Sequence, residues 1–146
     1  MTSTIRGDIA PGTILRGERK KISAERLLTF SGGPLVESGW PRRNIHTDTD
    51  FARSTGLPSR CASGTQFQGQ MAEFLISAFG DGWFRHGEMA VKFVDLVLED
   101  QMVTACAKVV GSEPVDGKGA RVNLEIWSEC EDGRKVMTGT ATGLVN

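Results

Sequence analysis

No apolar run in this sequence approaches the ~20 residues that a membrane-spanning helix needs, so no membrane partner is expected. Cysteine is scarce: Cys61, Cys106 and Cys130 are an odd number without CxxC spacing. That argues against a disulfide framework or a zinc site and for reduced, buried thiols. Basic charge is not gathered into the stripe a nucleic-acid binder would show. The formal net charge is −1, and the only basic clusters are Arg16 with Arg19-Lys20-Lys21, and Arg42-Arg43. No nucleic-acid partner is expected. Met1 to Pro11 lacks a basic segment leading into an apolar one, so no secretory signal is expected and the cytoplasm is the default compartment. Gly-rich phosphate loops, G-x-S-x-G, H-E-x-x-H and Walker patterns are missing as well, so no metal or nucleotide cofactor is implied.

What is present fits one ordinary globular domain spanning residues 1–146. Hydrophobic residues make up 39% and charged residues 24%, and a chain near this length buries roughly two-thirds of its unfolded surface. A strand is predicted over Gly12 to Ile22. Ser23 then reads as an N-cap for a short helix, Ala24 to Phe30, broken by Ser31-Gly32-Gly33-Pro34. Leu35 to Arg43 has no period and reads as a loop. Thr47 to Thr49 offers a second cap, with Asp50 to Thr55 helical. Pro58 to Gly64 is another loop.

The clearest helix is Thr65 to Phe79, whose Phe67, Met71, Phe74, Leu75 and Ala78 follow helical spacing. After it the period drops to 2. Met89 to Leu98, Met102 to Gly111, Ala120 to Cys130 and Lys135 to Leu144 read as strands. Glu131-Asp132-Gly133 is expected to join the last pair as a hairpin and Glu99-Asp100-Gln101 the first pair. Helices followed by an antiparallel run give an α+β class. One long apolar helix and such a run suit a curved sheet wrapped around a central helix, the hot-dog architecture.

Several motifs carry a family resemblance. Asn44-Ile45-His46-Thr47-Asp48-Thr49-Asp50-Phe51-Ala52 resembles the motif G-D-x-N-P-(I/L)-H with its following Phe-Ala pair. Ala62-Ser63-Gly64 resembles A-H-G at the start of a central helix, and Val91-Lys92-Phe93 a V-R/K-F strand. Asp132-Gly133 to Met137-Thr138-Gly139-Thr140-Ala141 resembles the closing hairpin, and Pro11-Gly12 and Phe30-Ser31-Gly32 also fit. In this order, over nearly the whole chain, they are similar to the MaoC-like (R)-specific enoyl-thioester hydratases and dehydratases. The resemblance implies a lyase acting on a 2-enoyl or 3-hydroxyacyl thioester, carried on CoA or an acyl-carrier protein. It implies a homodimer or higher oligomer in which two hot-dogs share one sheet, with the pocket near the interface.

One landmark departs. The family's catalytic aspartate directly follows the S-G of F-S-G-D and precedes the histidine by five positions. Here Gly33 follows Ser31-Gly32, and counting back from His46 reaches Pro41. The motif's proline is absent too, since Asn44 runs straight into Ile45.

Hydration needs a base for water at Cβ, an acid at Cα and donors for an enolate-like oxygen. His46 is the candidate acid/base, its unperturbed pKa lying near neutrality; its alternative is a structural histidine. About ten residues stand inserted before Asn44 relative to the family motif, and Glu37, their only carboxylate, is the candidate replacement for the aspartate, or else a solvated residue. Ser63 and Gly64 open a helix whose free N–H groups suit an oxyanion. Asn44 either orients His46 or binds substrate, or caps its own turn. Trp40 lines an acyl pocket or packs the loop down, and Arg43 (with Arg42) contacts a carrier phosphate or stays solvated. Asp48 and Asp50 read as first-turn helix residues, and His86 as a loop residue. Without the aspartate, a second reading stays open: a related protein without hydratase chemistry, either a partner-dependent binding subunit or a thioesterase-like enzyme.

Overall fold

The computed structural model describes residues 5–145. The elements run β1 (Ile14–Lys21), α1 (Ala24–Ser31), α2 (Thr49–Ser54), α3 (Gly64–Phe79), α4 (Asp81–His86), β2 (Glu88–Phe93), β3 (Met102–Val115), β4 (Gly119–Cys130) and β5 (Lys135–Val145). The five strands form one antiparallel sheet in the order β1-β3-β4-β5-β2. This is the α+β hot-dog arrangement, with α3 laid across the concave face.

The two periods explain the core. On α3, Phe67, Met71, Phe74, Leu75 and Ala78 are buried together, and on β4 Val122, Leu124 and Ile126 are buried on the facing side. Between them Asn123 and Glu125 turn away from the core. Alternation on the strand and i, i+3, i+4 spacing on the helix thus meet as one apolar layer. On the sheet's outer side Trp127 is covered by Lys135, whose Nζ lies 4.9 Å from the indole centroid. The cysteines are free and buried, and burial pushes the Cys106 thiol up to about 11. Among the described residues no helix is long and apolar enough to cross a membrane.

Four local expectations change. Glu99-Asp100-Gln101 does turn, with Asp100 at φ 68°, but β2 pairs with β5 rather than β3. The reason is steric: β3 already has β1 on one edge and β4 on the other, so the free edge of β5 is where β2 can pair. The strand expected to reach Leu98 stops at Phe93, and the chain leaves the sheet to bury Val97 beneath it. His86, expected as a loop residue, is the last residue of the short helix α4, in which the Trp83 indole stacks on Phe79 at 6.0 Å. Finally, β3 and β4 extend beyond the expected ends and turn through Asp116-Gly117-Lys118, Gly117 taking φ 68°.

Candidate active site

The site forms where the segment between α1 and α2 meets the start of α3. The loop 33–41 leaves the body and returns at one point: the Arg42 N–H donates to the Gly32 carbonyl at 2.8 Å. Only glycine fits there, because a Cβ on Gly32 would stand 2.5 Å from the Leu28 carbonyl oxygen and 2.8 Å from Trp40 Nε1. Trp40 crosses the base of the loop, its indole N–H donating to the Gly33 carbonyl at 3.1 Å. It is half-buried here as a clamp on the loop.

Asn44 ties the returning chain down. Its Nδ2 donates to the Ser31 carbonyl at 2.9 Å, and its Oδ1 accepts from the His46 N–H at 2.9 Å. The second bond is an Asx turn, so Asn44 sets the backbone direction of His46. Buried Thr47 adds to the same knot, donating to the Arg42 carbonyl at 2.6 Å. Asp48 then caps α2 through the Phe51 N–H at 2.7 Å. That bond, reinforced by the Arg43 guanidinium, holds the Asp48 carboxyl below the usual range. Arg43 donates to Asp48 at 2.9 Å and lies 5.5 Å over the Phe51 ring.

The result is a half-buried His46 whose Nδ1 lies 2.7 Å from the Cys61 carbonyl oxygen. A carbonyl can only accept, so Nδ1 carries the proton and, in the neutral ring, Nε2 keeps the lone pair. This is the tautomer a proton acceptor needs. Cys61 is itself fixed on both sides. Its N–H reaches the Ile45 carbonyl at 3.4 Å, it forms a β-bridge with Leu98, and Ala62 donates to the Val97 carbonyl at 2.8 Å. Next to it, the half-buried Arg60–Glu99 pair also reaches the Thr47 carbonyl through an Arg60 N–H at 3.3 Å.

Three residues after Cys61, α3 begins. Ser63 is the N-cap but makes no side-chain cap bond; its hydroxyl pairs with Thr65 Oγ1 at 2.9 Å. The first-turn N–H groups, Gly64 foremost, therefore carry the helix's positive end without a side-chain cap. Phe93 presses against this point: a Cβ on Gly64 would fall 2.9 Å from the ring. Phe93 also meets Phe67 edge-on at 5.3 Å, which walls one side of the helix start with apolar surface.

The structure therefore joins His46 to Asn44 by one hydrogen bond and, through the Cys61 carbonyl, to the segment that leads into Ser63 and Gly64. Glu37 is placed otherwise. Its exposed carboxylate is gripped by both arms of Arg42, one bond at 2.7 Å, and this pairing holds its pKa below the usual carboxylate range. Among the described residues no carboxylate hydrogen-bonds to the His46 ring. None of these residues forms a set of three His, Cys, Asp or Glu side chains able to hold a metal ion. Sequence reasoning missed Cys61, because a carbonyl contact leaves no mark on side-chain identity. It also missed Phe93 as a wall, although the V-K-F strand contained it.

Residues 42–129 match the MaoC like domain. No curated protein sequence matches the chain significantly. Among solved structures, the R-hydratase PhaJ1 from Pseudomonas aeruginosa is similar at 17% identity and a TM-score of 0.73, covering 94% of this chain and 83% of that one. The (R)-hydratase from A. caviae involved in PHA biosynthesis is similar at 18% identity and a TM-score of 0.70, covering 95% and 98%. The ChsH1–ChsH2 complex from Mycobacterium tuberculosis gives 12% identity and a TM-score of 0.70, covering 94% and 98%. At these identities the structures speak for the fold, while the domain match spans more than half of the chain, from Arg42 to Glu129: the protein belongs to the MaoC-like domain family.

Proposed function

We propose that the protein is a hydro-lyase that adds water to, or removes it from, a 2-enoyl/3-hydroxyacyl thioester carried on CoA or an acyl-carrier protein. The observation that carries this reading is the His46 Nδ1–Cys61 carbonyl bond, which leaves Nε2 basic and ties the ring to the segment that runs into α3. In hydration, Nε2 takes a proton from water as the hydroxide adds to Cβ. The electron pair moves to the thioester oxygen, where the Gly64 N–H at the positive helix end is the donor. The imidazolium then returns the proton to Cα, so water's two parts are both accounted for. Asn44 acts as a positioning residue for His46. The reading includes a dimer paired along the open edge of β2, supported by the exposed Phe93, Val94 and Leu96 beside that edge.

The test follows the conjugated-enoyl absorbance of a panel of 2-enoyl-CoA thioesters with wild type and His46→Ala. Absorbance loss that His46→Ala abolishes is the expected result. Absence of turnover at every chain length, from folded dimeric protein, would sink the reading.

A second reading rests on one specific observation, the lack of a carboxylate on the His46 ring. In it the chain binds the thioester but needs a catalytic partner, or runs another thioester reaction such as hydrolysis. Thioester binding without loss of the enoyl absorbance would favour this second reading.

A further inference from the structure

The carbonyl that fixes the His46 proton belongs to Cys61, and the residue before it carries a second tie to the same turn. Arg60 and Glu99 hold each other twice. The Glu99 N–H donates to the Arg60 carbonyl at 2.8 Å, and the Arg60 guanidinium grips both oxygens of the Glu99 carboxylate, one bond at 2.8 Å. The two side chains are 16% and 19% exposed. A planar fork gripped in this way aims its remaining arm in one direction. That arm, Nη1, donates to the Thr47 carbonyl at 3.3 Å, one residue beyond His46.

The turn 44–48 is stiff within itself. The Asn44 N–H donates to Thr47 Oγ1 at 3.0 Å, and the Asp48 N–H to the Asn44 carbonyl at 3.1 Å. It moves as one piece, so the ring's place on Cys61 is set by the links between this piece and residues 60–62. Among the described residues, two hydrogen bonds besides those of the ring itself cross that gap. One runs from the Cys61 N–H to the Ile45 carbonyl at 3.4 Å, long for an N–H···O bond. The other is the Arg60 bond to Thr47. Because Glu99 cancels the Arg60 charge, what the pair supplies to the turn is a fixed direction.

We propose that Arg60, aimed by Glu99, is a positioning residue for His46: by holding the Thr47 carbonyl it keeps the ring on the Cys61 carbonyl, with the proton on Nδ1 and the lone pair on Nε2. The inference rests on the reading of His46 as the proton acceptor. Which imidazole nitrogen carries the proton is decided by the bond the other makes. A ring that swings off Cys61 spends part of its time protonated at Nε2, and in that form it takes no proton from water there. Loss of Arg60 thus lowers the share of competent rings and leaves substrate binding alone.

The experiment reads the tautomer directly, from long-range ¹H–¹⁵N spectra of the ¹⁵N-labelled full chain at about pH 8.5, where an ordinary histidine is neutral. The chain has two histidines, so His46→Ala assigns the signals and exposed His86 serves as the reference for a free ring. Arg60→Met alone leaves Glu99 unpaired, so the variant is Arg60→Met/Glu99→Met, since exchanging a whole ion pair for apolar side chains is often neutral for folding. In it the ratio of the Nδ1–H to the Nε2–H form of His46 falls by about threefold or more. Glu99→Gln, which keeps one bond to Arg60 but loosens its aim, shifts the ratio the same way and carries the test if the double variant does not fold. Arg134→Met is the control: Arg134 binds the Leu96 carbonyl at 2.8 Å and Asp95 at 2.9 Å, in the same 94–101 stretch as Glu99. Its loss leaves the ratio at the wild-type value.

An unchanged ratio in the folded double variant, or in Glu99→Gln where that variant does not fold, would overturn the proposal. So would an equal shift in Arg134→Met, which would mean general loosening of the stretch. With a 2-enoyl-CoA that is turned over, the double variant loses about tenfold in kcat while KM stays within about twofold; a raised KM with kcat kept would also count against Arg60. The ring spectrum needs no turnover. A protein inactive on every thioester that still shows the shift would sink the hydratase reading and uphold the role of Arg60.

Discussion

The α3–sheet body and the segment 31–62 are held by different forces, and the difference governs how each responds to change. The body is a layer of apolar side chains, in which Leu75, Leu124 and Ile126 are all but sealed from solvent. Its stability is spread over many contacts, none of them unique. The segment buries few large side chains. It is held by single bonds with named partners: Arg42 to Gly32, Asn44 to Ser31, His46 to Cys61. The proposed chemistry is assigned to the second region because a directional bond can fix a tautomer, and apolar packing cannot.

The largest effect that separates the two regions is on turnover. His46→Ala should cut it by about 10²–10⁴-fold, the usual worth of a positioned acid/base group, while losing the Cys61 bond costs only about 1 kcal/mol of stability. An equal loss of stability would mean that the ring is structural. Its counterpart is Leu75→Ala, which should lower the unfolding free energy by about 2–5 kcal/mol through lost burial and a cavity. Activity per folded molecule should survive, as denaturant titration beside an assay would show.

Asn44→Ala comes next. It removes the bonds to Ser31 and His46, so a stability loss of about 1–3 kcal/mol is expected. The same change should lower kcat more than it raises KM, since the ring loses its direction and not its chemistry. Rescue by Asn44→Asp would be partial, because a carboxylate can accept from the His46 N–H but cannot donate to Ser31.

Acid should split the regions further. Glu37 and Asp48 both have pKa values lowered on folding, Glu37 by Arg42 and Asp48 first by the Phe51 N–H. A depressed carboxylate stabilises the fold above its unfolded pKa of about 4, and that contribution is lost as the pH falls through the lower folded value. Amide exchange across residues 32–48 should therefore quicken below about pH 4 before exchange in β4 does. Uniform quickening would erase the distinction. The smallest effect is assigned to Glu37→Gln: with its carboxylate on Arg42, turnover should change by less than about threefold. A hundredfold loss would restore Glu37 as the replacement for the family aspartate.

The same division explains what could be read beforehand. Val122, Leu124 and Ile126 on a strand, and Phe67, Met71 and Phe74 on a helix, announce their faces by spacing alone, and Ser23 and the stretch Thr47 to Thr49 announce helix starts, although Asp48, read as a helix residue, proves to be the cap itself. The position of β2 was not legible, because it depends on which edges other strands have taken. Nor was the Cys61 carbonyl, since any residue would present one. Glu37 stood out in the sequence as the loop's carboxylate, but its pairing with Arg42 depends on a bend that composition does not encode.

The Gly32–Arg42 bond also bears on how this chain can vary. Because the excursion 33–41 starts and ends at one hydrogen bond, its contour length is uncoupled from the position of His46. Closing a longer or shorter loop between fixed ends changes the entropy only logarithmically. The loop is thus an appendage on a fixed stem, free to gain or lose residues at its exposed Leu35–Val36 tip while the histidine behind it stays in place.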